Sequence, residues 1–106
     1  MAGKSGPWGF HELSRGWAAH LVDIAAVAPG DLVLDIGAGS GVITAALLRA
    51  GAEVIAVELH PRRAAALRGR FSDAPVEVVR ADAADLWLPR RPFKVVANPP
   101  FHVATA

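Results

Sequence analysis

The amino-acid sequence predicts an α/β fold: a parallel sheet of about four strands flanked by helices. Three observations predict it. Short β-branched runs alternate with longer alanine- and leucine-rich runs, the pattern of βαβ units. A glycine-rich turn, Gly37-Ala38-Gly39-Ser40-Gly41, joins one such strand to the helix after it. Acidic residues stand at or just beyond the ends of three successive strands, at Asp35, Glu58 and Asp82.

The elements follow in order. Ser14 is placed to cap a first helix, in which Trp17, Leu21, Ile24 and Ala28 recur at helical spacing, and Pro29-Gly30 stops it. Leu32 to Ile36 reads as a buried strand, and Val42 to Ala50 as a helix ended by Gly51. Glu53 to Glu58 is a second strand. Pro61 suits a first helical position, and that helix runs to about Phe71. Val76 to Arg80 and Phe93 to Asn98 are the third and fourth strands, with a loop or a turn of helix around Ala83 to Leu88 between them. About 13 residues separate those two strands, enough for a looping crossover but tight for a helical one.

Composition narrows the function classes. With 106 residues the chain holds one domain at most, and 53% apolar residues is too many for a disordered chain. The absence of cysteine excludes a disulfide scaffold, a thiolate zinc site and a cysteine nucleophile. The four histidines, His11, His20, His60 and His102, stand at unrelated spacings, so no metal site is expected. No apolar stretch reaches the roughly 18–20 residues that span a bilayer, and the first residues do not form a signal peptide. The expectation is a cytoplasmic protein. Net charge is only +1, but Arg62, Arg63, Arg68 and Arg70 cluster, as do Arg90, Arg91 and Lys94. Each cluster reads either as a solvated face or as part of a phosphate-contacting surface.

The glycine turn carries the first chemical signal. Glycines between a strand and a helix let backbone approach a ligand closely. Glu58 lies 21 positions after Gly37, near the spacing at which dinucleotide folds place the acid that binds ribose hydroxyls. The spacing is Gly-x-Gly-x-Gly, and Asp35 stands just before the turn. A pyrophosphate wants helix N–H groups and no carboxylate nearby. S-adenosylmethionine has no phosphate and carries a sulfonium and an ammonium, so an acid at the turn suits it better than NAD or FAD. Asp35, Gly37, Gly39 and Glu58 are therefore candidate cofactor-binding residues, the bland reading being that Asp35 caps the turn. Asp82 can accept from the exocyclic amine of an adenine, or can cap whatever follows it, with Asp85 as the competing choice for the ligand role.

The second signal is Asn98-Pro99-Pro100-Phe101 at the end of the fourth strand. The prolines fix φ and remove two N–H donors, leaving carbonyl acceptors in a stiff frame. The Asn98 side-chain oxygen and the Pro99 carbonyl can both accept from a substrate amino group. Those acceptors favour a pyramidal nitrogen and aim its lone pair, so positioning and charge stabilisation supply the catalysis without a strong general base. Phe101 offers a face for base stacking, and a paired base would have to be flipped to reach it. Asn98, Pro99 and Phe101 are the candidate catalytic residues.

Taken together, Asp35-Ile36-Gly37-Ala38-Gly39-Ser40-Gly41, Ala56-Val57-Glu58-Leu59-His60, Arg80-Ala81-Asp82 and Asn98-Pro99-Pro100-Phe101 resemble motifs I to IV of the rRNA adenine-N6 methyltransferases. That family includes the erythromycin-resistance (Erm) enzymes and the small-subunit rRNA adenine dimethylases. The wording around Glu58 and Asn98 looks most like mycobacterial-type Erm proteins. The resemblance implies a Rossmann-like class I methyltransferase fold and S-adenosylmethionine as cofactor. It implies methylation of an adenine in large-subunit rRNA, resistance to macrolides and related antibiotics, and a protein that is monomeric at full length. It places Gly37 against the methionine part of the cofactor, Glu58 on its ribose and Asp82 on its adenine amine. Asn98 serves cofactor and target base, and Phe101 stacks on that base.

Three departures qualify the match. The family opens with Gln-Asn-Phe where this chain reads Trp8-Gly9-Phe10-His11, so Gly9 and His11 are carried over as cofactor-binding positions with Gly9 lending only backbone. Phe101 stands for the commoner Tyr and lacks its hydroxyl. The family continues through three more strands and a helical RNA-binding domain, so residues 1–106 are expected to be the N-terminal part of a methyltransferase domain, from a truncated gene or a fragment, with the fourth strand left as an exposed edge. The alternatives are an inactive or cofactor-binding remnant, or part of a DNA adenine or protein glutamine N-methyltransferase.

Overall fold

A computed structural model describes residues 15–97. In chain order it comprises α1 (Arg15–Ile24), β1 (Leu32–Ile36), α2 (Val42–Arg49), β2 (Glu53–Val57), α3 (Pro61–Arg70), β3 (Val76–Val79), one 3-10 turn (Ala83–Asp85) and β4 (Lys94–Ala97). The strands form one sheet in the order β3-β2-β1-β4, and every pairing is parallel. The expected α/β fold is thus present, and β3 and β4 are joined by a looping crossover that holds only the 3-10 turn. Ser14, Gly9, His11, Asn98, Pro99 and Phe101 lie outside the described residues.

Strand register explains the core. Val33, Val54, Ala56, Val78 and Val96 share one face, because Val33 pairs with Val54 and Ala56 with Val78, while Val96 pairs with Asp35, two residues on from Val33. Onto that face pack Ala18 and Val22 of α1, Ile43, Ala46 and Leu47 of α2, and Leu67 of α3. Leu47 and Leu67 are fully buried, each worth roughly 1.5–3 kcal/mol of apolar burial. On the opposite face Ile55 and Val79 line a cavity of about 400 Å³ with Leu86, Trp87, Leu88 and Pro89 of the β3–β4 connection. Among the described residues β4 pairs with β1 alone, so it is an edge strand, and Val95 is half exposed.

The first helix departs from expectation in two ways. The face that packs inward carries Ala18 and Val22, with Leu21 and Ala25 half-buried, whereas Trp17 and Ile24 are 48% and 66% exposed. The small Ala18 lets α1 lie close against α2, and close approach outweighs the pull of the larger residues. The helix also ends at Ile24, not at Pro29. The Val27 N–H returns to the Val22 carbonyl (3.4 Å) and the Ala26 N–H to that of Asp23 (3.0 Å), a Schellman ending with Ala26 in the left-handed region at φ +54°. Lys94 closes the same end: its ammonium donates to the carbonyls of Ala25 (3.2 Å) and Ala26 (2.6 Å) and pairs with Asp31 at 3.2 Å. A left-handed alanine is strained and a glycine is not. Ala26→Gly is therefore expected to raise unfolding stability by about 0.5–1 kcal/mol, read by urea denaturation.

This topology locates the site. From β1 the chain steps outward to β2 and β3, then returns to the other side of β1 as β4. The β1/β4 seam is the switch point, and in open α/β sheets the crevice beyond the carboxyl ends of the strands there is where ligands bind.

Candidate functional site

The glycine turn is built by pairing at that end of the sheet. The Gly37 and Ala38 N–H groups both donate to the Val57 carbonyl, at 2.8 and 3.1 Å, and the Gly41 N–H donates to Ala38 at 2.9 Å. The chain thereby folds over the tip of β2 before entering α2. Gly37 holds φ +73°, and a Cβ there would stand in open space with no atom within 4 Å, so the backbone borders a hollow. Gly41 is glycine for the opposite reason. At φ +94° its Cβ would meet Phe71 Cε2 at 2.8 Å and Leu67 Cδ2 at 3.0 Å. Gly41→Ala is expected to cost roughly 2–4 kcal/mol, from left-handed strain and overpacking together, measured by chemical unfolding.

Glu58 locks the turn to the tip of β2. One carboxylate oxygen accepts from the Gly39 N–H (2.8 Å) and the other from the His60 N–H (3.0 Å), with the side chain buried. Its own N–H donates to Val79 at 3.0 Å, which ties the tips of β2 and β3 together. The sequence signalled an acid at this place but not these two backbone bonds, which make Glu58 a structural bridge as well as a candidate ligand.

Asp35 is completely buried, and Thr44 of α2 donates its hydroxyl to Oδ2 at 2.5 Å. The other oxygen, Oδ1, is buried with no hydrogen-bond partner. Burial pushes the Asp35 carboxyl up to about 6, against the opposing Thr44 bond and with added repulsion from Glu58. Sequence reading missed Thr44; the signal was a hydroxyl three residues into the helix after the turn, one turn beyond Gly41.

Asp82 follows β3 and is exposed. Its Oδ1 accepts from the Ala84 N–H at 3.0 Å and caps the 3-10 turn, so the capping alternative is realised. Asp85 lies inside that turn and lines the cavity on the far face. Asp35, Gly37, Gly39, Glu58 and Asp82 thus all stand at the carboxyl end of the sheet, on three adjacent strands. Ala97, the last described residue, pairs with Ile36, so β4 ends beside the same turn. Among the basic residues, Arg68 donates to the Val78 carbonyl (3.4 Å), Arg70 to that of Ser40 (2.7 Å), and Arg91 pairs with Glu53.

The residues fit a cationic nucleoside. The buried oxygen without a partner on Asp35, the open space over Gly37 and the carboxylate of Glu58 together offer negative charge and close backbone approach.

Comparison with known proteins agrees. A methyltransferase domain family matches residues 33–105. The chain is 40% identical over 86 residues to a probable ribosomal RNA small subunit methyltransferase A of Methanopyrus kandleri, covering 80% of this chain and 31% of that protein. It is 43% identical over 76 residues to an rRNA adenine N-6-methyltransferase of Bacteroides fragilis, covering 71% and 29%. Among solved structures, the 23S rRNA methyltransferase ErmE superposes with a TM-score of 0.76 at 33% identity, covering 84% of this chain and 37% of that one. The chain spans about a third of the length of the curated relatives it matches. No helix among the described residues is long and apolar enough to cross a membrane.

Proposed function

Because the chain belongs to the methyltransferase domain family, we propose that it is the cofactor-binding part of an S-adenosylmethionine-dependent rRNA adenine-N6 methyltransferase. The observation that carries this reading is the Glu58 carboxylate, held between Gly39 and His60 at the tip of β2. There it presents its remaining lone pairs to the hydroxyls of a ribose, beside a glycine turn that leaves room for the rest of the nucleoside.

Each residue then has a part. Asp35 lends negative charge beneath the turn, Gly37 and Gly39 lend close backbone, and Asp82 accepts from the adenine amine with the oxygen not used in capping. Gly9 and His11 contribute to the same cofactor from ahead of α1. When bound, S-adenosylmethionine supplies an electrophilic methyl group. Asn98 and the Pro99 carbonyl accept hydrogen bonds from the two N–H groups of the target amine and direct its lone pair, and Phe101 stacks on the base. The residues ask for an adenine that is unpaired or flipped out.

The substrate reading is large-subunit rRNA, with macrolide-type resistance as its consequence, supported by the likeness to the 23S rRNA methyltransferase ErmE. A second reading, small-subunit rRNA, is supported by the 40% identity to the archaeal relative. Residues 1–106 act as the N-terminal part of the methyltransferase domain, in the cytoplasm, on RNA. The test is transfer of labelled methyl from S-adenosylmethionine to purified 23S and 16S rRNA, followed by nucleoside mass spectrometry. N6-methyladenine in 23S rRNA alone supports the first reading, and in 16S rRNA alone the second. Methylation of duplex DNA or of a glutamine-bearing protein in their place overturns both.

A further inference from the structure

We propose that the Thr44 hydroxyl is a positioning group for the cofactor, holding the Asp35 carboxylate charged and fixed beneath the glycine turn; this deepens the S-adenosylmethionine reading above and rests on it. Asp35 is wholly buried, and a carboxylate there stays charged only if donors replace the water it has lost. Thr44, itself wholly buried, donates to Oδ2 at 2.5 Å. The Thr44 backbone N–H acts on the same carboxylate in the same sense. Among the described residues Oδ1 has no partner at all.

The helix after the turn explains why the donor comes from α2. Its N-cap is Gly41, which has no side chain to accept from the first-turn N–H groups, and no acid stands in that first turn. Asp35, near the end of β1, supplies the negative group that this helix end lacks, and Thr44, the third residue of α2, clasps it. A purely structural cap has no use for a second carboxylate oxygen buried without a donor. A site that must answer a cation does.

No other side chain nearby supports the charge. Glu58, at the tip of β2, repels it. The register neighbours of Asp35 are Ala56 on β2 and Val96 on β4, neither of them ionisable. On α2 the only ionisable residue is Arg49, in the last turn. Burial pushes the Asp35 carboxyl up to about 6, so near neutral pH it is charged by a narrow margin. Loss of the Thr44 bond shifts the balance further toward the protonated form. The site then lacks the charge that a sulfonium and an ammonium call for.

The experiment compares the parent chain with Thr44→Val, which keeps the shape and removes the hydroxyl, and Thr44→Ser, which keeps the hydroxyl and removes a methyl group. Carbon-detected NMR follows the Asp35 carboxyl against pH, and calorimetry gives S-adenosylmethionine affinity from pH 5 to 8. Thr44→Val is expected to raise the Asp35 midpoint by about one to two pH units. Thr44→Ser is expected to leave it in place, even though the lost methyl group makes the chain less stable. The affinity ratio of parent to Thr44→Val removes the ligand's own titration. It should be largest, about 5-fold, between the two midpoints and shrink on either side. In an Asp35→Asn background Thr44→Val should no longer change affinity, because the charge it protects is gone.

An unmoved midpoint in Thr44→Val overturns the proposal, as does an equal shift in Thr44→Ser. An affinity loss in Thr44→Val that is the same at every pH, or that persists beside Asp35→Asn, also overturns it, since either marks a distorted turn and not a lost charge. If the parent chain binds no S-adenosylmethionine, the methyltransferase reading falls and takes the cofactor role with it; the Asp35 midpoints still decide whether Thr44 governs the charge.

Discussion

Wild-type stability should fall as pH rises from about 4 to about 7 by a component that vanishes in Asp35→Asn. The Asp35 carboxyl sits at about 6 in the folded chain, above its ordinary value of 3.8. Between those values the native state holds a proton that the unfolded state has released, so raising the pH favours unfolding. The contribution is fully present below about pH 4 and lost above about pH 6. The gap between the folded and ordinary values corresponds to about 3 kcal/mol, with no discount for solvent because the group is completely buried. Other carboxylates act with the opposite sign: the Ala28 N–H and Lys94 hold Asp31 below its ordinary value. The measurement is therefore the difference between mutant and wild-type urea unfolding energies across pH. A difference curve that is flat from pH 4 to 7 contradicts a buried, ionisable Asp35. The same variant should bind S-adenosylmethionine more weakly, so the group that costs stability serves the ligand.

Glu58→Gln should lose cofactor affinity by at least about 100-fold and also lose about 1–3 kcal/mol of stability. The affinity follows from exchanging charged acceptors for one neutral acceptor and a donor, at roughly 1.5–3 kcal/mol for each bond to a charged group. The stability follows from the two backbone donors. A glutamine oxygen can accept from Gly39 or from His60, but its amide group then faces the other N–H, donor against donor. Glu58→Asp should fail differently, because the shorter arm cannot reach both N–H groups: one bond is kept and the turn loosens. Calorimetric titration and thermal unfolding of the two variants distinguish these losses. Unchanged binding in Glu58→Gln would remove the ribose role and leave only the bridge.

Period and punctuation made the sheet legible in the sequence. β1 through β4 are short apolar runs bounded by glycine, proline or charge, and each lies within a residue or two of where those boundaries put it. The inward face of α1 was not legible, because burial there depends on how closely a second helix approaches, and Ala18 won over Trp17 for a reason that lies in α2. Nor was the early end of α1, since a left-handed alanine carries no signal in composition; it is held by Lys94, 68 positions away. Within the candidate site, Asp35, the glycine turn, Glu58 and Asp82 were recognisable because spacing along βαβ units brings strand tips together. Most of their bonding was not recognisable. That Glu58 spends both oxygens on backbone is a product of side-chain geometry that no spacing encodes, whereas the cap at Asp82 was one of two readings its position allowed.

The central claim is that a sulfonium nucleoside lies across the carboxyl ends of β1, β2 and β3, against Gly37, Glu58 and Asp82. Titrating the ¹⁵N-labelled chain with S-adenosylhomocysteine and following backbone amide shifts tests it most directly. The expected result is saturable perturbation concentrated at Gly37 to Gly41, Glu58 to His60 and Asp82 to Ala84. Shifts confined to the opposite ends of the strands, at Leu32, Glu53 and Val76, or no saturable shifts at millimolar ligand, would contradict it.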